Sequence, residues 1–144
     1  MIVDTLAVDT LAVATAASVR IRWTAVCPYG RLEPERGVAA LVSGAQVAIF
    51  RTAEGQLYAI GHRDPISGAH VMSRGIVGIH DGAPTVISPV HRHVYDLRSG
   101  ECLDVPGIRV PVYPVRCRAG VVEVGLYAVD DLRSPAAHAV DRAG

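Results

Sequence analysis

Two short segments in the middle of the chain, Asp64-Pro65-Ile66-Ser67-Gly68-Ala69 and Ser88-Pro89-Val90-His91, are built like metal-ligand loops from which most of the ligands are missing. Thiolates hold sulfide-bridged iron, whereas imidazole and carboxylate suit zinc or non-haem iron. His62, His70, His80, His91 and His93 gather around these segments, and with Asp64 they could form a mononuclear site of the second kind. No pair among them has a metal-ligand spacing, so hydrogen-bonded or surface histidines are the simpler expectation. His91 is the leading candidate for an interface or ligand role. Arg74, between Ser73 and Gly75, offers a forked guanidinium to a carboxylate on a partner or a neighbouring loop. Asp64, just before a proline, is placed to cap the turn at Ser67 or Gly68. The three cysteines, Cys27, Cys102 and Cys117, are odd in number and none lies in a Cys-x-x-Cys pair. They make no zinc motif or disulfide framework and read as buried free thiols. No nucleophile–base pair, phosphate loop or paired-carboxylate site is present, so a stand-alone enzyme is not expected.

The composition bounds what can position these residues. A chain of 144 residues is one domain by length, enough to bury about two-thirds of its unfolded surface without metal or disulfide help. Half the residues are hydrophobic but only 5% are aromatic, so the core must consist mainly of Val, Ile, Leu and Ala. The formal charge is zero and every basic residue is Arg. Without a basic stripe, nucleic acid is not an expected partner. No apolar run approaches the roughly 20 residues of a membrane span. The N-terminal segment carries Asp4 and Asp9 and no early basic residue, unlike a secretory signal. A cytoplasmic protein is expected.

Strand signals dominate the chain. Residues 3–7 and 8–12 repeat Val-Asp-Thr-Leu-Ala, and residues 1–20 read as a low-complexity arm. The folded domain is expected over 21–127, with a tail over 128–144. Ile21–Val26 alternates as a strand, and Leu32–Gly37 reads as a loop. Val38–Val42, Gln46–Arg51 and Gln56–Ile60, separated by Ser43-Gly44 and Glu54-Gly55, form a meander. Val71–Gly82, with Ser73, Gly75, Gly78 and Gly82, is predicted to be irregular. Pro84–Ile87 leads into the second loop and His93–Leu97 leaves it. Val105–Pro114, rich in proline, suits an edge or connection. Val112–Arg118 and Val121–Leu126 close the domain as a hairpin across Ala119-Gly120. No 3.6-residue apolar period persists over 12 residues, so the expected class is all-β, a small sandwich or barrel.

The two loops resemble the frame of a Rieske iron–sulfur protein, whose loops read Cys-Pro-His-x-Gly and Cys-x-x-His-Gly. Asp64-Pro65-Ile66-Ser67-Gly68 matches the first, Ser88-Pro89-Val90-His91 the second, and Tyr95-Asp96-Leu97-Arg98-Ser99-Gly100 the strand and turn that follow. On this match Asp64, Ile66 and Ser88 stand at ligand positions without the ligand, and only His91 keeps a ligand-type side chain. With Val71-Met72-Ser73-Arg74-Gly75-Ile76-Val77-Gly78 and Gly100-Glu101-Cys102-Leu103, the sequence is similar to the small subunits of assimilatory NAD(P)H-dependent nitrite reductases. That family is Rieske-like in fold, with two apposed former ligand loops and no cluster. The resemblance spans about Arg22 to Leu126. It implies an accessory role, with no cofactor in this chain, beside a large subunit that holds FAD, a [4Fe-4S] cluster and sirohaem. Asp64, Ser73, Arg74, His91 and His93 are then the candidate partner contacts. Two other readings stay open: a Rieske-type or mononuclear-metal electron carrier, and a free-standing regulatory binding module.

Overall fold

The computed structural model describes Ala17–Asp131, and every described element is a strand or a short 3-10 turn. In order they are β1 (Ala17–Pro28), a turn at Tyr29–Arg31, β2 (Arg36–Val42), β3 (Ala45–Arg51), β4 (Leu57–Gly61) and a turn at Met72–Arg74. Then come β5 (Ile76–His80), β6 (Ala83–Ile87), β7 (Val94–Asp96), β8 (Val112–Tyr113), β9 (Val115–Arg118) and β10 (Val121–Asp131). They form three sheets, ordered β1-β10-β9, β2-β3-β4-β8 and β5-β6-β7. Residues 23–125 make one compact unit. The chain ends, 1–22 and 126–144, group as a second, whose described part is the outer ends of β1 and β10. The rest of the expected arm and tail lies outside the described residues. Among the described residues no helix is long and apolar enough to cross a membrane.

Turn chemistry explains the meander. Ser43-Gly44, Asp81-Gly82 and Ala119-Gly120 each place two successive residues at positive φ, the type I′ pattern whose twist matches that of the flanking strands. Each closes an antiparallel hairpin: β2–β3, β5–β6 and β9–β10. The third strand of the middle sheet follows from Val47↔Gly61 through Arg51↔Leu57.

The core joins two of the sheets. Ala48 and Phe50 of β3, Ile60 of β4, Met72 of the second 3-10 turn, Val86 of β6 and Tyr95 of β7 form one buried cluster with Leu97, Cys102 and Val110. As the low aromatic content requires, aliphatic side chains fill most of it. Packing the β2–β4 meander against the β5–β7 sheet brings the loop after β4 beside the loop after β6.

Three expectations are corrected. The segment expected to be irregular contains β5, an ordered strand paired with β6 from Ile76↔Ile87 to His80↔Ala83. The Asp81-Gly82 turn holds the hairpin, and Gly78 is accepted within the strand opposite Thr85. The single strand expected at Val112–Arg118 is two strands in different sheets. Pro114 separates them, having no N–H for a ladder, while its carbonyl accepts the Gly125 N–H at 2.8 Å. Of the three thiols only Cys102 is buried; Cys27 is half-buried and Cys117 exposed.

Candidate functional site

The first loop is organised by the Asp64 carboxylate. Its Oδ1 accepts the N–H of Ile66 at 2.8 Å and of Ser67 at 3.3 Å, the side-chain turn expected of Asp before Pro. The backbone closes the same loop: Gly68 N–H donates to Asp64 O (2.7 Å) and Asp64 N–H to Ala69 O (2.8 Å). Gly68 sits at φ +83°, where a side chain would be strained.

Ser88 organises the second loop. Its N–H donates to His93 O at 2.9 Å, and its Oγ accepts the Val90 N–H at 3.2 Å. To close within six residues the chain turns through His91 (φ 65°) and Arg92 (φ 54°). Two consecutive non-glycine residues in the left-handed region are uncommon, and such conformations persist only where the surroundings enforce them.

The loops are tied to each other. Ser88 O–H donates to Asp64 Oδ2 at 2.5 Å, and the Tyr95 hydroxyl stands 3.5 Å from Asp64 Oδ1. Asp64, Ser88 and Tyr95 are all fully buried. Burial by itself raises the Asp64 pKa. The hydrogen bonds from Ser88 and from the Ile66 and Ser67 amides outweigh it and hold the carboxyl below the ordinary aspartate value. Burial, with the Asp64 charge next, pushes the Tyr95 phenol far upward, so it remains a neutral donor. Asp64 was a candidate partner contact on the sequence, but a fully buried carboxylate with these three donors offers nothing to a surface. It is the joint between the loops.

The remaining candidates lie on the outside. Ile66 is 36% exposed and His91 is exposed, its ring 6.2 Å from that of His93. His93 is half-buried, and its Nδ1 is buried with no hydrogen-bond partner. Ser73 is half-buried and its N–H donates to His62 Nδ1 at 3.2 Å. Burial, then repulsion from His70 and Arg74, lowers the His62 pKa, so the ring stays neutral and keeps this acceptor. Arg74 is exposed, and its guanidinium makes no hydrogen bond or ion pair among the described residues. It does not brace a neighbouring loop.

Gly75 fixes how Ser73 and Arg74 are presented. A Cβ there would stand 2.5 Å from Val86 Cγ2 and 2.6 Å from the Ile87 carbonyl oxygen. Gly75→Ala is expected to destabilise the domain by about 1–3 kcal/mol by overpacking, read as a lower denaturant midpoint at unchanged slope.

Sequence reasoning found Asp64, Ser88, His91 and Arg74 but missed two contributors. Tyr95 is core, as expected, yet its hydroxyl reaches the joint. His62 is an acceptor for Ser73, not a candidate ligand. Neither role has a local sequence signal, because both partners are more than ten residues away.

These residues do not fit a [2Fe-2S] cluster. The cluster needs two thiolates and two imidazoles. Ile66 has no donor atom, and Asp64 and Ser88 hold each other at the positions the thiolates would take. Among the described residues no group of three or more His, Cys, Asp or Glu converges to hold a metal ion.

The three-sheet β fold with two apposed, hydrogen-bonded loops defines a Rieske-like domain with altered ligand positions. Residues 22–125 match the family described as the Rieske-like [2Fe-2S] domain. The nitrite reductase (NADH) small subunit of Escherichia coli K12 is 36% identical over 104 residues, covering 72% of this chain and 96% of that protein. A Mycobacterium tuberculosis crystal structure, provisionally named an NADH-dependent nitrite reductase small subunit, superposes with a TM-score of 0.74 at 46% identity. It covers 76% of this chain and 98% of that one. The Klebsiella oxytoca nitrite reductase [NAD(P)H] large subunit is 36% identical over 103 residues, 72% of this chain but 11% of that protein. The chain belongs to the family of NAD(P)H-dependent nitrite reductase small subunits.

Proposed function

We propose that this chain is the accessory small subunit of a cytoplasmic NAD(P)H-dependent nitrite reductase. It binds the large subunit, which carries FAD, the [4Fe-4S] cluster and sirohaem and reduces nitrite to ammonium, and it adds no redox centre of its own. The observation that carries this reading is the Asp64–Ser88 hydrogen bond, which turns two ligand positions into a structural joint. A rigid β scaffold then presents the loops as a binding surface. The K. oxytoca relative supports the choice of partner, because there a matching domain is part of a large-subunit chain. Ser73, Arg74, His91 and His93 are the proposed contacts: His91 and Arg74 are exposed, and Ser73 and His93 are half-buried beside them in the chain.

The test is to purify the chain anaerobically, measure iron and sulfide, record the visible spectrum, and assay nitrite-dependent NAD(P)H oxidation with and without the large subunit. A colourless, inactive chain that raises the activity of the large subunit is expected. Iron and sulfide approaching about one cluster per chain, or no effect on the large subunit, would overturn the reading.

A further inference from the structure

The sheet β5-β6-β7 ends in an open edge. The direction of its free backbone groups follows from Pro84. The Pro84 carbonyl accepts the Leu97 N–H at 2.9 Å, so residue 84 bonds toward the β7 side and pairs with Ile79 without exchanging hydrogen bonds. Alternation along the strand then puts the N–H and C=O of Gly78 and His80 toward β6, and those of Val77 and Ile79 toward the open edge. No backbone partner for Val77 or Ile79 exists among the described residues.

Open edges are normally kept short, charged or covered. This one is flanked by two of the most exposed large apolar side chains described, Ile76 at 59% and Ile79 at 70%. Beside it run two adjoining clefts that share Glu35 and Val77. The first, about 530 Å³, is bordered by Arg36 and Arg74; the second, about 290 Å³, by Glu54. Arg36 is 3.6 Å from Glu33, whereas Arg74, Glu35 and Glu54 are exposed and have no ion pair among the described residues. The groove therefore has a free positive charge, Arg74, at the end where β5 begins, Glu35 where the two clefts meet, and Glu54 further along, with apolar side chains of β5 between Arg74 and Glu54.

We infer that the open edge of β5 accepts an extended segment of the large subunit as an added strand, with a carboxylate at Arg74, apolar side chains against Ile76 and Ile79, and a basic side chain near Glu54. The inference rests on the proposed function for the identity of the partner and adds where and how it binds. Main-chain bonds to Val77 and Ile79 supply affinity, and the charge order along the groove sets the direction and register of the guest strand.

The test uses the full chain and the purified large subunit. Of the backbone groups Ile79→Pro removes only an outward N–H, since residue 79 gives none to β6, while keeping an apolar side chain, smaller than Ile; proline is accepted on an edge strand. Ile79→Lys keeps that N–H but places a charge on the edge, and Arg74→Glu reverses the charge at the groove's positive end. Each variant is expected to bind the large subunit about tenfold more weakly or worse, with an unchanged far-ultraviolet spectrum. In the wild-type complex the amide hydrogens of Val77 and Ile79 are expected to exchange more slowly than in the free chain. Wild-type binding that all three variants match, or unchanged exchange at Val77 and Ile79, would overturn the edge while leaving the proposed function standing. Failure of the wild type to bind would overturn both. Concentration-dependent dimerisation of the chain alone, abolished by Ile79→Pro, would overturn it by making a second copy the occupant.

Discussion

Asp64→Ala is expected to lower the unfolding free energy by about 3 kcal/mol, because it takes the shared, buried acceptor from three donors at the joint. Those donors are the Ile66 and Ser67 amides and the Ser88 hydroxyl. Against a typical total of about 5–15 kcal/mol, this is a large fraction for one exchange that removes few atoms from the core. Asp64→Asn keeps one acceptor oxygen for the two amides and is expected to cost less, about 1–2 kcal/mol. Denaturant unfolding of the three proteins gives the order directly. Equal stability of Asp64→Ala and wild type would mean that the loops are held by the backbone alone.

The same joint sets the acid side of the stability profile. A carboxyl held below its ordinary pKa binds fewer protons folded than unfolded. Its contribution is complete above the ordinary carboxylate value, about 4, and is lost as pH falls through the lower folded value. Asp96 behaves likewise: burial raises its pKa, and the Arg98 and Ser99 hydrogen bonds more than reverse the shift. His62, also depressed, begins its loss earlier, as pH falls through about 6.5, the ordinary imidazole value. Asp64→Ala should therefore remove part of the acid-induced loss below about pH 4 and leave the part near pH 6. Unfolding midpoints measured from pH 7 to pH 3 would show the two limbs.

The second large effect is a gain. The combined variant Asp64→Cys, Ile66→His and Ser88→Cys, which keeps His91, is expected to take up about two irons with sulfide per chain and to become coloured. The reason is geometric. Asp64 Oδ2 and Ser88 Oγ are 2.5 Å apart, so their side chains already converge from opposite loops. Residues 66 and 91 are exposed at the outer side of the same loops. The amides of Ile66, Ser67 and Val90, which now serve oxygen acceptors, would be left for cluster sulfurs, whose hydrogen bonds tune such centres. The variant without Ile66→His lacks the fourth ligand and should load poorly. Reconstitution under anaerobic conditions, followed by iron and sulfide analysis, decides. A colourless full variant would show that the loops have moved beyond ligand geometry as well as ligand chemistry.

How much of this was readable in the chain differs from element to element. The hairpins at Ser43-Gly44 and Ala119-Gly120 were readable because glycine turns lay between apolar runs. The hairpin at Asp81-Gly82 carried an even stronger signal, an Asp-Gly pair. Gly75 and Gly78 nonetheless make the preceding strand read as broken. In the structure Gly75 is needed for a close approach to Val86, and Gly78 lies in a ladder that tolerates it. The break at Pro114 was visible as a residue but not as a change of sheet, since local sequence does not record which strands become neighbours.

By itself the sequence determined the strand-rich class and the two loops, because these depend on residue type and short spacing, and its resemblance to the Rieske frame implied that Asp64, Ile66 and Ser88 stand where thiolate and imidazole would. Tertiary structure alone decided what the replacements do. Asp64 and Ser88 are 24 residues apart in the chain and meet only because packing the β2–β4 meander on the β5–β7 sheet brings their loops together. It also decided which polar groups face outward. Asp64 withdrew into the core where three donors await it, Arg74 was left without a carboxylate, and the free edge of β5 arose because the sheet stops there. Burial and edge position are properties of the assembled sheets, and no stretch of the chain contains them.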